Sequence, residues 1–94
     1  MEQIKFTREA EKQLDKIEPS HREYILNKIE KLKTQGFGPS TNTKIIEDPE
    51  HGQIWRQKAK KGNKGGLDYR IFLDYVNQKL IVLTIKHRDQ AYEK

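Results

Sequence analysis

The sequence predicts an α+β fold in which an N-terminal strand and an antiparallel helix pair precede a three-stranded antiparallel meander packed on the helices. Two patterns carry this prediction. Between residues 8 and 35, apolar residues recur at intervals of three and four, which is the spacing of one helix face. From Ile54 onwards, runs rich in Ile, Val, Leu, Tyr and Phe are interrupted by Gly-Asn-Lys-Gly-Gly and by Asn77-Gln78, as in strands joined by tight turns.

The composition indicates one domain, spanning residues 1–94, with a highly charged surface. Hydrophobic residues make up 33% of the chain and charged residues 35%, yet the apolar residues are periodic, so we expect a modest folded core. The formal net charge is +5. A basic balance of this kind favours polyanionic partners, because cations release counterions from phosphates when they bind them.

Two absences bear on the compartment of the protein. The chain contains no cysteine, so it has no disulfide framework and no thiolate metal site. Residues 1–7 show neither an apolar signal region nor a membrane span. We therefore expect a cytoplasmic protein without a membrane partner.

The first elements are a strand and two helices. Gln3–Phe6 alternates in polarity and predicts a short strand that needs the later sheet as its partner. The apolar spacing then predicts a helix from about Arg8 to Ile17, which Pro19 ends. Ser20–Glu23 matches the S-x-x-E capping box, so a second helix is expected to begin at once and to end at Gly36.

Two loops and one short apolar run separate the helices from the meander. Residues 37–43 and 47–53 contain the Gly, Pro, Ser and Asn residues that are typical of turns. Lys44–Ile46, between them, is too short to assign. Within the meander, residues 60–66 predict a long hairpin tip rather than a phosphate-binding loop, because they do not open a helix.

Metal-dependent and serine-based catalysis find little support in the sequence. The three histidines, His21, His51 and His87, each stand alone, without a partner at the spacing of metal ligands. Neither Ser20 nor Ser40 lies in a nucleophile elbow. We therefore expect no metal and no cofactor.

The cations of the meander are expected to gather on one face of the sheet. Arg56 and Lys58 share one face of the first strand, and Arg70 lies on the polar side of the second. Lys86 and Arg88 follow in the third, and opposite side chains of neighbouring strands lie about 5 Å apart. Such a surface would bind phosphates, but Lys and Arg on an open sheet face also act as ordinary solvation that prevents aggregation. The residues alone leave both interpretations open.

Three segments of the meander resemble a known family. They read W-R-Q-K at 55–58, D-Y-R-I-F at 68–72 and I-K-H-R-D-Q-A-Y at 85–92. In this order, after a strand and two helices, they resemble the RelE/ParE superfamily of toxin–antitoxin toxins, over nearly the whole chain. The resemblance implies a RelE-like toxin, a ribosome-dependent mRNA endonuclease that inhibits translation and is neutralised by a cognate antitoxin. Its partners would be that antitoxin, the ribosome and mRNA.

The resemblance also implies a set of site residues. Carried over residue by residue, the catalytic positions are Arg56, Lys58, Arg70, Arg88 and Tyr92. Lys58 would be the base in a metal-free attack of the ribose 2′-hydroxyl on the adjacent phosphate. Lys86 takes the place of Arg88 if the C-terminal segment is aligned without a gap. The expected further RNA contacts are Lys60, Lys61, Lys64 and Lys86.

Two alternatives to an active nuclease remain. A ParE-like member has the same fold and inhibits DNA gyrase as a binding protein, without a basic catalytic cluster. A catalytically degenerate member would bind nucleic acid only. Arg56 stands where some members have lysine, and a guanidinium stays protonated, so it stabilises charge but does not act as a base.

Overall fold

The computed structural model describes residues 3–61 and 67–88, and it places five strands in one sheet. The elements in chain order are β1 (Gln3–Phe6), α1 (Arg8–Lys16), α2 (Pro19–Gln35), a 3-10 turn (Pro39–Thr41), β2 (Thr43–Asp48), β3 (Gly52–Lys60), β4 (Asp68–Val76) and β5 (Lys79–His87). The strand order is β1-β5-β4-β3-β2, with β1 parallel to β5 and the other neighbours antiparallel. The predicted fold class is confirmed.

The sheet contains one strand that the sequence left unassigned. β2 extends the Lys44–Ile46 run at both ends and pairs antiparallel with β3, with Ile45 opposite Trp55. Two adjacent apolar residues, Ile45 and Ile46, cannot show a period of two, so this strand is recognisable only from its hydrogen-bonded partner.

The start of α2 differs from the prediction. Glu18 is the N-cap, Pro19 is the first helical residue, and no side chain caps the helix. Ser20 therefore lies inside the first turn, and its predicted capping box with Glu23 does not form. Proline is favoured at the first helical position because its φ is already near the helical value and its missing N–H would have no partner there.

The other helix ends follow local chemistry. Thr7 Oγ1 accepts the N–H of Ala10 at 3.1 Å and so caps α1. Gly36 ends α2 with a φ of 72°, a left-handed conformation that glycine adopts without a steric penalty. Among the described residues, neither helix is long and apolar enough to cross a membrane.

The core lies between the two helices and the sheet face that they cover. Its buried apolar side chains are Ala10, Leu14, Ile25, Ile29, Leu32, Ala59, Ile71, Leu73, Leu80, Val82 and Ile85. Because successive side chains of a strand alternate, the odd-numbered residues of β3 and β4 face the helices and the even-numbered residues face away. Gln57, fully buried on the helix side, donates from Nε2 to the carbonyl oxygens of Lys28 and Thr41 at 3.1 and 3.2 Å.

Helix α1 covers the edge of β5 beyond the point where β1 ends. The Thr7 N–H donates to Val82 O at 3.0 Å, and the Thr7 hydroxyl donates to Leu83 O at 2.7 Å. Gln13 Oε1 accepts the N–H of Ile85. The backbone groups of β5 that β1 does not pair are thus satisfied by Thr7, the N-cap of α1, and by Gln13 of α1.

Truncation of Ile71 to alanine should strongly destabilise the protein. Its side chain is fully buried at the centre of β4, and Ile→Ala at such a site costs about 2–5 kcal/mol through lost burial and a residual cavity. Ile45 is 50% exposed and provides the same substitution as a control, with an expected change below about 0.5 kcal/mol. Urea denaturation measures both free energies of unfolding, and equal losses would contradict this placement of the core.

Candidate nucleic-acid interface

The sheet face turned away from the helices brings predicted cations from three strands into one row. This open face carries Ile54, Arg56, Lys58 and Lys60 of β3, Asp68, Arg70, Phe72 and Asp74 of β4, and Thr84 and Lys86 of β5. Lys58 lies directly opposite Arg70, and Arg70 lies directly opposite Lys86. Directly opposite residues have Cβ atoms about 4.5–5.5 Å apart. We call these three residues the cation row, and Arg56 extends it along β3.

A buried ion pair holds the central cation of the row. Arg70 Nη1 donates to Asp68 Oδ1 at 2.7 Å, and the two side chains are only 5% and 8% exposed. Arg88, 55% exposed, places its Nε 3.8 Å from Asp68 Oδ2. One carboxylate therefore contacts two of the predicted catalytic guanidinium groups.

The other cations differ in exposure. Lys58 and Lys60 are exposed, whereas Arg56 and Lys86 are half-buried. The Nε atom of Arg56 is buried and has no hydrogen-bond partner among the described residues. Guanidinium groups recognise phosphate through several donors, so the half-buried Arg56 beside the row is a further candidate phosphate contact.

A hollow of about 540 Å³ adjoins the cation row at Lys86. Phe72 lines it, and carboxylates are contributed by Glu9 of α1 and by Asp48 and Glu50 beside the β2–β3 turn. The open face is therefore basic only towards the β3–β4 hairpin, rather than along its whole length. A polyanion is expected to follow the cation row and to avoid the hollow, since like charges repel.

His51 does not stand alone, in contrast to the prediction from the sequence. Its Nδ1 lies 2.9 Å from Asp48 Oδ2, and ligand atoms of Asp48, Glu50 and His51 lie within 4.8 Å of one another. The same Oδ2 accepts the backbone N–H groups of Glu50 and His51 at 3.0 and 2.9 Å. Burial acts to raise the pKa of Asp48, but these hydrogen bonds and the imidazole outweigh it and lower the pKa. The group closes the β2–β3 turn with an ionised carboxylate that already has three N–H partners.

The other two histidines lie on the helix side of the sheet, around Tyr69. His21 Nδ1 is 3.2 Å from the Tyr69 hydroxyl, and His21 Nε2 is 3.2 Å from Glu18. His87 packs edge-on against Tyr69, with ring centroids 5.3 Å apart. Burial, with a smaller contribution from the charge of Glu18, raises the pKa of Tyr69. His87 is thereby separated from the cation row by the sheet itself.

A protein-family comparison decides the class of this fold. The family model described as the ParE toxin of the type II toxin–antitoxin system, parDE, matches residues 4–92. The chain belongs to the ParE toxin family. The match includes every residue of the cation row. A search of curated proteins finds no significant match.

Three solved structures contain a chain with the fold of this ParE-family toxin. The archaeal RelE–RelB complex from Pyrococcus horikoshii OT3 matches with a TM-score of 0.70 and 16% identity, over 92% of this chain and 93% of that chain. The intact E. coli RelBE toxin–antitoxin complex matches with 0.63 and 18%, over 90% and 94%. The RelB–RelE complex from Methanococcus jannaschii matches with 0.61 and 19%, over 95% of both chains. At identities this low, the structural similarity establishes a common fold and nothing more.

Not every predicted site residue of the toxin joins the cation row. Lys61 lies on the helix side, with Nζ 6.0 Å from the centroid of the Tyr24 ring of α2. Lys64 and Tyr92 lie outside the described residues. Conversely, Asp68 was not among the predicted site residues, although the D-x-R spacing of Asp68 and Arg70 places both side chains on one strand face.

Replacing Tyr69 with phenylalanine should reduce the loss of stability at high pH. Tyrosine in an unfolded chain ionises near about pH 10, whereas the pKa of Tyr69 is raised in the fold, so the unfolded chain loses this proton first. The contribution of protonated Tyr69 to the free energy of unfolding is complete below the pKa of the unfolded tyrosine. It is lost as the pH rises through the pKa of Tyr69 in the fold. Urea denaturation across this range should show a shallower decline for Tyr69→Phe. A decline as steep as that of the wild type would contradict this placement of Tyr69.

Proposed function

We propose that this ParE-family toxin is a RelE-like, ribosome-dependent mRNA endonuclease that inhibits translation by cleaving mRNA without a metal ion. The observation that carries the proposal is the cation row, in which Lys58, Arg70 and Lys86 lie in direct register on three adjacent strands. Three cations at this spacing repel one another, and a bound phosphate backbone relieves that repulsion. A phosphodiester is thus the substrate class that the row fits.

The proposed reaction is an internal transfer at phosphorus. The ribose 2′-oxygen forms a bond to the adjacent phosphorus while the bond from phosphorus to the 5′-oxygen breaks, giving a 2′,3′-cyclic phosphate and a free 5′-hydroxyl. One proton leaves the 2′-hydroxyl and one reaches the departing 5′-oxygen. The reaction needs a base, an acid and positive charge around the phosphate, and it balances without a cofactor.

The base and the phosphate contacts come from β3 and β4. Lys58 is exposed on the open face, and it is proposed to accept the 2′-hydroxyl proton. Arg56, half-buried beside the cation row, is proposed to donate from its guanidinium group to a phosphate oxygen. Arg70, fixed by its pair with Asp68, supplies positive charge that needs no rearrangement when charge develops on the phosphate.

The leaving-group side of the site comes from the end of β5. Lys86 lies in the cation row, and Arg88 reaches the same region through Asp68. Either cation can stabilise the departing 5′-oxygen, and the resemblance favours Arg88. Tyr92 keeps its predicted role of stacking on a base or orienting the nucleophile.

The proposed partners are a cognate antitoxin, the ribosome and mRNA, and the proposed place of action is the cytoplasm. The family is one of toxin–antitoxin systems, and the three similar structures are complexes of RelE with RelB. The cation row is an open surface rather than an enclosed pocket. A substrate held in place by a larger particle suits such a surface, because positioning supplies much of the rate enhancement.

Inhibition of DNA gyrase by binding is the second candidate function. The observation that favours it is the family match itself, since the matching model describes a ParE toxin. A gyrase inhibitor has no need for a catalytic base. The two functions therefore make opposite predictions for Lys58.

Replacing Lys58 with alanine should abolish most mRNA cleavage. Loss of a general base costs typically 10²–10⁴-fold in rate, so about that decrease is expected for Lys58→Ala. The measurement is the in vitro cleavage of mRNA bound to stalled ribosomes, with the 5′ ends of the products mapped along the translated frame. Lys79→Ala, which removes an exposed lysine at the opposite end of β5, is the matched control and should cleave like the wild type.

Assays of mRNA cleavage, DNA supercoiling and RNA binding with the purified wild-type protein distinguish the nuclease from the two alternative functions. Intact mRNA together with inhibited DNA supercoiling by the wild type would replace the nuclease with the gyrase function. Intact mRNA and unaffected gyrase, with RNA binding retained, would identify a catalytically degenerate member. A Lys58→Ala variant that cleaves at the wild-type rate would exclude Lys58 as the base.

A further inference from the structure

Asp68 is the only buried carboxylate, and Arg70 the only buried cation, among residues 3–61 and 67–88. Charged side chains are rarely buried, because removal from water is costly unless the charge is paired and hydrogen-bonded. This pair lies on the open face, away from the apolar core between helices and sheet. Because Arg70 belongs to the cation row, the pair indicates a role at the candidate site rather than in the core.

The geometry of Asp68 links two elements of the site. Its Oδ1 accepts from Arg70 Nη1 at 2.7 Å, and its Oδ2 lies 3.8 Å from Arg88 Nε. Arg70 belongs to the central strand of the cation row, whereas Arg88 follows the last residue of β5 and is 55% exposed. A long exposed side chain at a strand end has many rotamers, and a fixed carboxylate restricts them.

We propose that Asp68 is a positioning residue that holds the guanidinium groups of Arg70 and Arg88 towards one phosphate. The inference rests on the proposed nuclease function and deepens it. Catalysis at phosphorus depends on fixed charges within a fraction of an ångström of their productive places. Asp68 achieves this with one side chain for Arg70 of β4 and for Arg88, which follows β5.

The charge of Asp68 gives this role a distinctive signature. A carboxylate beside the row weakens phosphate binding, because it repels the phosphate. The same carboxylate strengthens catalysis by orienting the two guanidinium groups. Its removal should therefore leave RNA binding equal or several-fold tighter and should lower cleavage. A general loss of structure would lower both, and a purely electrostatic brake would raise both.

The test compares Asp68→Asn with Asp74→Asn. Asp74 lies on the same strand and the same face, six residues along, and its carboxylate accepts the N–H of Tyr75. Both variants remove one negative charge by replacing a carboxylate oxygen with an amide NH2 group, and the number of heavy atoms stays the same. We expect Asp68→Asn to cleave mRNA on the ribosome about 100-fold more slowly, the effect of misplacing a catalytic group. Asp74→Asn should cleave within about twofold of the wild type, as expected of a surface substitution away from the site.

Binding is measured with a single-stranded RNA in which 2′-methoxy groups prevent cleavage. The dissociation constant of Asp68→Asn should equal that of the wild type or be several-fold lower. If Arg70 gains a phosphate contact, the slope of log affinity against log salt becomes steeper by about 0.7, the value for one further cation on a single strand. Weaker binding in parallel with weaker cleavage would overturn the positioning role.

Two further measurements test the positioning role of Asp68 separately from the folding of Asp68→Asn and from the nuclease function. Asp68→Glu preserves the charge and moves it by one methylene, so a wild-type cleavage rate in this variant would overturn positioning even if Asp68→Asn does not fold. The side-chain N–H signals of Arg70 and Arg88 in NMR spectra should broaden and lose exchange protection in Asp68→Asn but not in Asp74→Asn. Unchanged arginine signals would refute the inference, whereas a wild-type chain that never cuts RNA would refute the nuclease function instead.

Discussion

The register of β3, β4 and β5 places two rows of side chains back to back. On the helix side, Gln57, Ile71 and Ile85 are directly opposite one another, and on the open side Lys58, Arg70 and Lys86 occupy the next positions. A slip of one residue would exchange the two faces and move Ile71 and Ile85 into water. The hydrophobic effect that buries Ile71 therefore also fixes the positions of the cation row.

Much of this arrangement is present in local sequence patterns. Alternation in β4 and β5 separates apolar from polar side chains, and the Asn77-Gln78 hairpin has φ values of 52° and 64°, as a two-residue type I′ turn requires. Gly36 likewise occupies the left-handed position that ends α2. These features depend on residues close in sequence, so they are predictable. The same alternation assigns each cation to one face of its strand.

The features that the sequence did not predict depend on pairing or on competition between neighbouring signals. β2 exists because β3 pairs with it, and α2 starts at Pro19 rather than after Ser20 because two start signals lie side by side. The burial of Asp68 was equally unpredictable, since a carboxylate two residues from an arginine is usually a solvated surface charge. Only the assembled sheet shows that Asp68 and Arg70 are enclosed together.

The fold by itself does not decide between cleaving RNA and binding another protein, because one scaffold supports several functions. The charges of the open face do carry information. Lys58 and Lys86 flank a buried arginine, and neither forms an ion pair with a described carboxylate. Two unit charges at 4 Å repel by about 1 kcal/mol even in water.

Ordinary solvation of a sheet face would be served equally well by alternating signs of charge. In this protein Asp68 offsets a single cation of the row. Of the other carboxylates near the open face, Glu9, Asp48 and Glu50 border the hollow, and Asp74 lies further along β4. Charge is thus segregated along the face, and this segregation costs repulsion that the core does not require. An anion that runs along the row would turn the same repulsion into attraction, and for this reason the phosphodiester backbone is favoured over a protein surface as the occupant of this site.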